Sequence, residues 1–156
     1  MIDKSIKIRK ESDKDYKYDF VKKVLNALPE WFEFAQAILQ YAEAARDYDT
    51  YILSLDDEDL GFLCVKNSSV DTIDLYCLGI FKKYHSLGLG GLFLDEVLNL
   101  YRKNFKLVQV KTLAKGLDKF YDRTIDFYKA KGFLEIEVFD EIWGKDNPCL
   151  LMVKSL

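Results

Sequence analysis

The chain predicts an α+β (mixed α/β) fold: a central mixed, mostly antiparallel twisted sheet of about seven strands flanked by four helices. Three observations lead there. Two segments of helical apolar spacing follow a short first strand. Three strands then run in sequence with tight turns between them, the pattern of an antiparallel meander. A glycine-rich segment next joins two apolar runs as strand–helix–strand, which requires one parallel pair. The expected order is strand, two helices, three strands, helix, strand, helix, two strands.

Ile6 and Ile8 alternate with Lys7 and Arg9, the two-residue period of a strand. Between Asp15 and Leu28, Tyr18, Val21, Val24, Leu25 and Leu28 recur at helical spacing, and Pro29 stops the helix. Alanine-rich Glu33–Asp47 predicts a second helix, with Phe34, Ala37, Ile38, Tyr41, Ala42 and Ala45 on its apolar stripe. The period then changes. Thr50–Leu55, Leu60–Lys66 and Thr72–Ile80 read as strands, joined by an acidic turn at Asp56–Asp59 in solvent and a second turn at Asn67–Val70. Leu89–Lys103 predicts a helix with Leu92, Phe93, Val97 and Leu98 inward, and Leu107–Leu113 a strand. A helix follows from about Tyr121 to Lys131, with Gly132 in the position that closes it. Phe133–Trp143 and Cys149–Lys154 are the last strands, around a turn at Gly144–Pro148.

With 156 residues, 49% hydrophobic and 31% charged, the chain reads as one globular domain spanning 1–156. A net charge of -3 argues against a nucleic-acid partner and provides no basic face for a membrane. The mild acidity suits a small cationic substrate and is equally ordinary for a cytoplasmic protein. No apolar run reaches the length of a membrane span. The opening Met-Ile-Asp-Lys-Ser lacks the apolar stretch of a leader, so the expected location is cytoplasmic. Cys64, Cys77 and Cys149 form no Cys-x-x-Cys and sit among apolar neighbours, which predicts buried thiols. A single histidine speaks against a multi-histidine metal site, and no metal is expected.

The most informative stretch is 78–91, an apolar strand end, a polar turn and a glycine-rich helix start. Gly88, Gly90 and Gly91 are three of the eight glycines, within four positions. Glycine at a helix start is conformationally costly unless something approaches the backbone, and the free N–H groups of a first turn suit an anion. The other reading is a flexible turn that happens to be rich in glycine. A dinucleotide fingerprint is absent, because the glycines begin eight residues beyond Ile80 and after a meander. The Lys-Ser/Thr of a Walker loop is also missing.

His85-Ser86-Leu87-Gly88-Leu89-Gly90 resembles the Arg/Gln-x-x-Gly-x-Gly/Ala acetyl-CoA motif of the GCN5-related N-acetyltransferase (GNAT) superfamily. Phe127-Tyr128-Lys129-Ala130-Lys131-Gly132-Phe133 resembles its second marker, an aromatic–Tyr pair followed by Gly-Phe. Their separation and the order of elements also match, and the resemblance spans nearly the whole chain. Tyr121–Phe133, with Asn147-Pro148-Cys149, is similar to a bacterial branch of the superfamily. Two positions depart from the pattern: His85 stands where arginine or glutamine is usual, and Tyr121 where an asparagine commonly contacts the cofactor.

The resemblance implies acetyl-CoA as co-substrate and direct transfer of its acetyl group to a primary amine of a small molecule or peptide, by a monomer or homodimer. Leu78, Gly79 and Ile80 would pair with the pantetheine arm and polarise the thioester carbonyl; without the resemblance they read as a plain core strand, with Gly79 a bulge. Ser86, Leu87, Gly88, Leu89, Gly90 and Gly91 would wrap the pyrophosphate. His85 would donate to a phosphate or lie exposed in a loop. Tyr128 would protonate the departing thiolate, or simply pack beside Phe127 and Phe133.

Asp74 interrupts an apolar strand on the face of Tyr76, Leu78 and Ile80, and would serve as general base or sit at a solvated strand start. Tyr76 would anchor a water or the substrate. Cys77, facing the other way, is not expected to be a nucleophile. Trp31 and Phe32, with Phe34, would form an apolar wall for the acceptor; alternatively Trp31 and Phe34 anchor the core. Transfer from a longer acyl-CoA or to a hydroxyl, and a non-catalytic acyl-CoA-binding domain, are the rival readings.

Overall fold

The computed structural model describes residues 5–156 of the chain, so the leader expectation for residues 1–4 lies outside the described residues. Its strands are β1 (Ile6–Lys10), β2 (Asp49–Leu55), β3 (Glu58–Asn67), β4 (Thr72–Ile80), β5 (Leu107–Leu113), β6 (Leu134–Phe139) and β7 (Cys149–Ser155). Its helices are α1 (Lys14–Asn26), α2 (Ala35–Ala45), α3 (Leu89–Tyr101) and α4 (Lys119–Ala130). The strands hydrogen-bond in the order β1-β2-β3-β4-β5-β7-β6. β4 and β5 form the expected parallel pair, matching Thr72 with Leu107 and Asp74 with Gln109. The pairs β1–β2, β2–β3, β5–β7 and β6–β7 are antiparallel. This is the mixed, mostly antiparallel α+β sheet that the element order predicts.

The chain divides into two compact units, one of residues up to Lys66 with Tyr76–Leu100, the other of Asn67–Leu75 with Tyr101–Leu156. In the first, Asp13 caps α1 by accepting from the backbone N–H groups of Asp15 and Tyr16. The helix therefore begins just before its first apolar residue. Phe20, Val21, Val24 and Leu25 of α1 and Ile38, Ala42 and Ala45 of α2 close over Ile52, Phe62, Cys64 and Cys77 of the sheet. Two glycines permit close approaches here, one between neighbouring strands and one between strand and helix. A Cβ on Gly61 would lie 2.6 Å from the Gly79 carbonyl oxygen and 2.7 Å from the Ile80 side chain. A Cβ on Gly79 would press on Phe62 and Val24 at 3.0 Å each. Gly79 thus admits α1 against the strand.

Asp59 overturns part of the acidic-turn reading. It belongs to β3, accepts both Arg9 guanidinium nitrogens at 2.9 Å, and also accepts the Tyr16 hydroxyl. β1, α1 and β3 are joined through that one carboxylate. The Arg9 hydrogen bonds hold the Asp59 carboxyl below its ordinary value, whereas burial, then the bond to Asp59, pushes Tyr16 up to about 12.

In the second unit β7 lies between β5 and β6. α4 starts two residues earlier than the sequence suggests, because Asp118 accepts from the Phe120 N–H and caps it. It ends as expected: Gly132, at φ +94°, donates to the Lys129 carbonyl and Phe133 donates to that of Tyr128. β6 stops at Phe139, short of the expected Trp143, because Phe139 is matched to Cys149, the first residue of β7. Three apolar assignments also change. Phe34, expected in the α2 stripe and as a core anchor, stands at the N-cap and is 65% exposed. On α3 it is Leu94 that is buried, and Leu92 faces outward. Phe20, outside the expected α1 stripe, is in the core.

Gly61→Ala is expected to destabilise the protein by ~3 kcal/mol or to prevent folding, measured by denaturant unfolding, since the clash is with backbone. The Asp59 network has the pH dependence of a depressed carboxyl. Its contribution is complete above the unfolded-chain value of about 4 and is lost as pH falls through the lower folded value. Asp59→Asn should therefore lower stability by about 1–2 kcal/mol at neutral pH, with a progressively smaller deficit in acid.

Candidate active site

In the first unit, the end of β4 leads directly into the glycine turn. Phe81 N–H donates to the Leu60 carbonyl at 3.0 Å, so β3 grips the chain one residue beyond the strand. Lys82–Tyr84 form a single 3₁₀ turn, and Ser86 and Gly88 both take left-handed backbone conformations, at φ +64° and +78°. α3 begins at Leu89. Its first intrahelical bond runs from the Leu92 N–H to the Gly88 carbonyl, 3.2 Å. The N–H groups of Leu89, Gly90 and Gly91 precede that bond and have no carbonyl within the helix to donate to. Leu87 is exposed and Leu89 buried, so the turn is anchored at its helical end.

His85 is neither exposed in a loop nor aimed away from the protein. It is half-buried, with Nε2 2.6 Å from the Ile80 carbonyl oxygen and its ring edge-on to Trp31, centroids 5.7 Å apart. Trp31 and Phe32 are half-buried and pack on the helix–sheet core. Phe32 stands edge-on to Tyr41, Tyr41 to Tyr76 and Tyr76 to Tyr48, with centroids 5.8, 5.4 and 5.1 Å apart. Tyr76 and Cys77 both belong to this helix-side packing, so strict alternation of facing does not separate them. Tyr41 and Tyr48 reach Tyr76, and Lys82 pairs with Glu30, across segments far apart in sequence, so no local pattern announces these contacts.

In the second unit, Asp74 is 4% exposed, which rules out a solvated strand start. Its Oδ2 accepts from Gln109 Nε2 at 2.9 Å and Lys111 Nζ at 3.2 Å. The signal for these partners was present: Gln109 and Lys111 alternate with Val108 and Val110, so they share one strand face. Tyr121 lies in the first turn of α4, half-buried. Tyr128 is buried, with its ring 5.2 Å from those of both Phe127 and Phe133. Its carbonyl takes part in the glycine-closed helix end described above, which ties its position to Gly132.

No protein-family model matches the sequence, and no curated protein matches it. Solved structures do match. A protein from Desulfovibrio desulfuricans assigned to the GNAT family of acetyltransferases superposes with a TM-score of 0.80 at 19% identity, over 97% of this chain and 99% of that one. The chain has the GNAT fold. A GNAT family acetyltransferase from Elizabethkingia anophelis, solved with acetyl-CoA bound, gives 0.72 at 16% identity, covering 98% of both chains. An aminoglycoside 6'-N-acetyltransferase complexed with coenzyme A gives 0.72 at 17% identity, covering 96% of both. At these identities the likeness is one of fold. It agrees with the strand and helix order that the sequence predicts.

Three free cysteines, all buried, complete the GNAT-fold core. Burial pushes the Cys64 thiol up to about 12 and the Cys77 thiol well above its ordinary value. Neither is poised as a thiolate nucleophile. Among the described residues, no group of three His, Cys, Asp or Glu side chains is placed to hold a metal, and no helix is long and apolar enough to cross a membrane. At Gly88 the surroundings are open to a Cβ, so only the left-handed backbone resists substitution. Gly88→Ala is expected to cost about 1–2 kcal/mol in thermal or denaturant unfolding, with the rest of the fold intact.

Proposed function

We propose that the chain is an acetyl-CoA-dependent N-acetyltransferase, acting as one domain over 1–156, that passes acetyl directly to a primary amine. The observation that carries this reading is the start of α3. Three N–H groups, of Leu89, Gly90 and Gly91, stand free of intrahelical acceptors after a left-handed Ser86–Gly88 turn, at the position of the acetyl-CoA motif. Those groups would hold the pyrophosphate, Leu78, Gly79 and Ile80 the pantetheine arm, and Tyr121 would lie beside the cofactor. The thioester supplies the activated acetyl group. The residues of the chain would polarise its carbonyl and return a proton to the thiolate, for which Tyr128 is the candidate acid. The amine must also lose a proton. Asp74 is the candidate base, and since its Oδ2 already holds an amide and an ammonium, that proton would go to Oδ1 or through a water held by Tyr76. Trp31 and Phe32 would border the acceptor. The same reading places a bacterial enzyme in the cytoplasm, as monomer or homodimer.

One observation favours a non-catalytic acyl-CoA-binding domain: Tyr128 is enclosed by Phe127 and Phe133, as a core residue would be. Calorimetry with acetyl-CoA, followed by a thiol-release assay over a panel of amines, separates the two. Binding with amine-dependent thiol release is expected. Binding without release on any amine supports the binding domain, and no binding ends both readings. Tyr128→Phe should lower kcat by about 100-fold while changing acetyl-CoA affinity little; unchanged kcat removes Tyr128 as the acid. Cys77→Ala should keep kcat within about twofold, and loss of turnover in a folded variant would end the direct-transfer mechanism.

A further inference from the structure

We propose that His85 is a positioning residue for the acyl donor, latching the end of β4 to the connection between α1 and α2, and not a phosphate ligand. The inference rests on the acetyl-CoA reading above. The hydrogen bond between Nε2 and the Ile80 carbonyl, 2.6 Å long, determines where the imidazole proton lies. A carbonyl oxygen only accepts, so Nε2 carries the hydrogen. In the neutral ring Nδ1 is then an acceptor, and it would meet a phosphate oxygen lone pair to lone pair. The arginine or glutamine usual at this place in the motif offers further N–H groups; an Nε2–H imidazole tautomer bonded to Ile80 has none left.

The ring has a second attachment. It stands edge-on to Trp31 at 76° between planes, in the α1–α2 connection. Trp31 is itself held by its N–H to the Leu28 carbonyl, 3.1 Å. The same two segments meet again one residue before Trp31 and three before His85, where Lys82 pairs with Glu30 Oε2. That hydrogen bond is the leading cause of a Glu30 carboxyl below its ordinary value. Glu30 Oε1 is buried with no hydrogen-bond partner among the described residues.

The latch therefore has two limbs on one ring. The Nε2–H orients the peptide that follows Ile80, the last residue of the strand segment proposed to pair with the pantetheine arm. The ring edge braces that orientation against the connection that carries Trp31 and Phe32. Removing the donor frees the Ile80 carbonyl and loosens the arm-binding strand end. The N–H groups of Leu89, Gly90 and Gly91, which belong to the helix start, keep their places.

The test compares two ligands by calorimetry: acetyl-CoA, and 3′-phosphoadenosine 5′-diphosphate, which carries the pyrophosphate without the arm. His85→Phe keeps a ring and loses the donor. His85→Gln loses the ring and places an amide N–H near the position of Nε2. His85→Phe is expected to weaken acetyl-CoA about tenfold and the armless ligand less than about twofold, and His85→Gln to recover most of the acetyl-CoA affinity. In the protein without ligand, nitrogen-15 spectra of the imidazole are expected to show the Nε2–H tautomer. Equal weakening of both ligands by His85→Phe makes His85 a phosphate ligand and overturns the proposal, as does an Nδ1–H tautomer. Failure of the unsubstituted protein to bind acetyl-CoA overturns the donor reading, and the positioning role falls with it; the imidazole spectrum, read without ligand, still reports the latch separately.

Discussion

The backbone of β4 comes so close to Gly61 of β3 that no Cβ fits there, and much of the first unit depends on that approach. On one side Gly61 lies against the Gly79 carbonyl and the Ile80 side chain. At Gly79 itself the missing Cβ lets Val24 and Phe62 close in. Helix, strand and neighbouring strand thus meet where side chains are absent. A packed interior transmits such a constraint because it has few voids to absorb displacement. The end of β4, the Phe81–Leu60 hydrogen bond and the turn into α3 follow it along the chain.

Beyond that contact, polar and aromatic groups tie loops to the frame. Asp59 gathers Arg9 and Tyr16, so a carboxylate in β3 holds β1 and α1. His85 and Lys82 each reach the α1–α2 connection, through Trp31 and Glu30. In the second unit Asp74 gathers Gln109 and Lys111 across the parallel ladder. A buried carboxylate needs such partners, because an unpaired charge in a low-dielectric interior is strongly unfavourable. Of these groups, Asp74, His85 and Trp31 are also the ones that a reading for chemistry selects. Asp74 Oδ2 is taken up by an amide and an ammonium, which leaves its other oxygen as the one without these partners.

Local signals in the sequence located most elements closely. Thr72–Ile80 and Leu107–Leu113 begin and end where the alternation says, and α3 starts at Leu89 as the glycine cluster says. Boundaries moved where capping side chains acted, as with Asp118 before α4. β6 fell short because an edge strand lasts only as long as its partner, and β7 begins at Cys149. Phe34 misled because helical spacing includes the N-cap position, where the chain has already left the helix and the side chain faces solvent. Asp59 was hidden in an acidic run, since its partners Arg9 and Tyr16 lie more than forty residues away.

The amino-acid order alone determined the mixed sheet, the parallel crossover and the glycine-rich start of α3. These follow from apolar period, turn chemistry and the conformational freedom of glycine, all properties of neighbours along the chain. Tertiary structure decided what the polar residues hold. It made His85 the partner of the Ile80 carbonyl and buried Asp74 between an amide and an ammonium. Directional bonds between distant segments depend on which faces meet when the layers close, and spacing along the chain does not encode that.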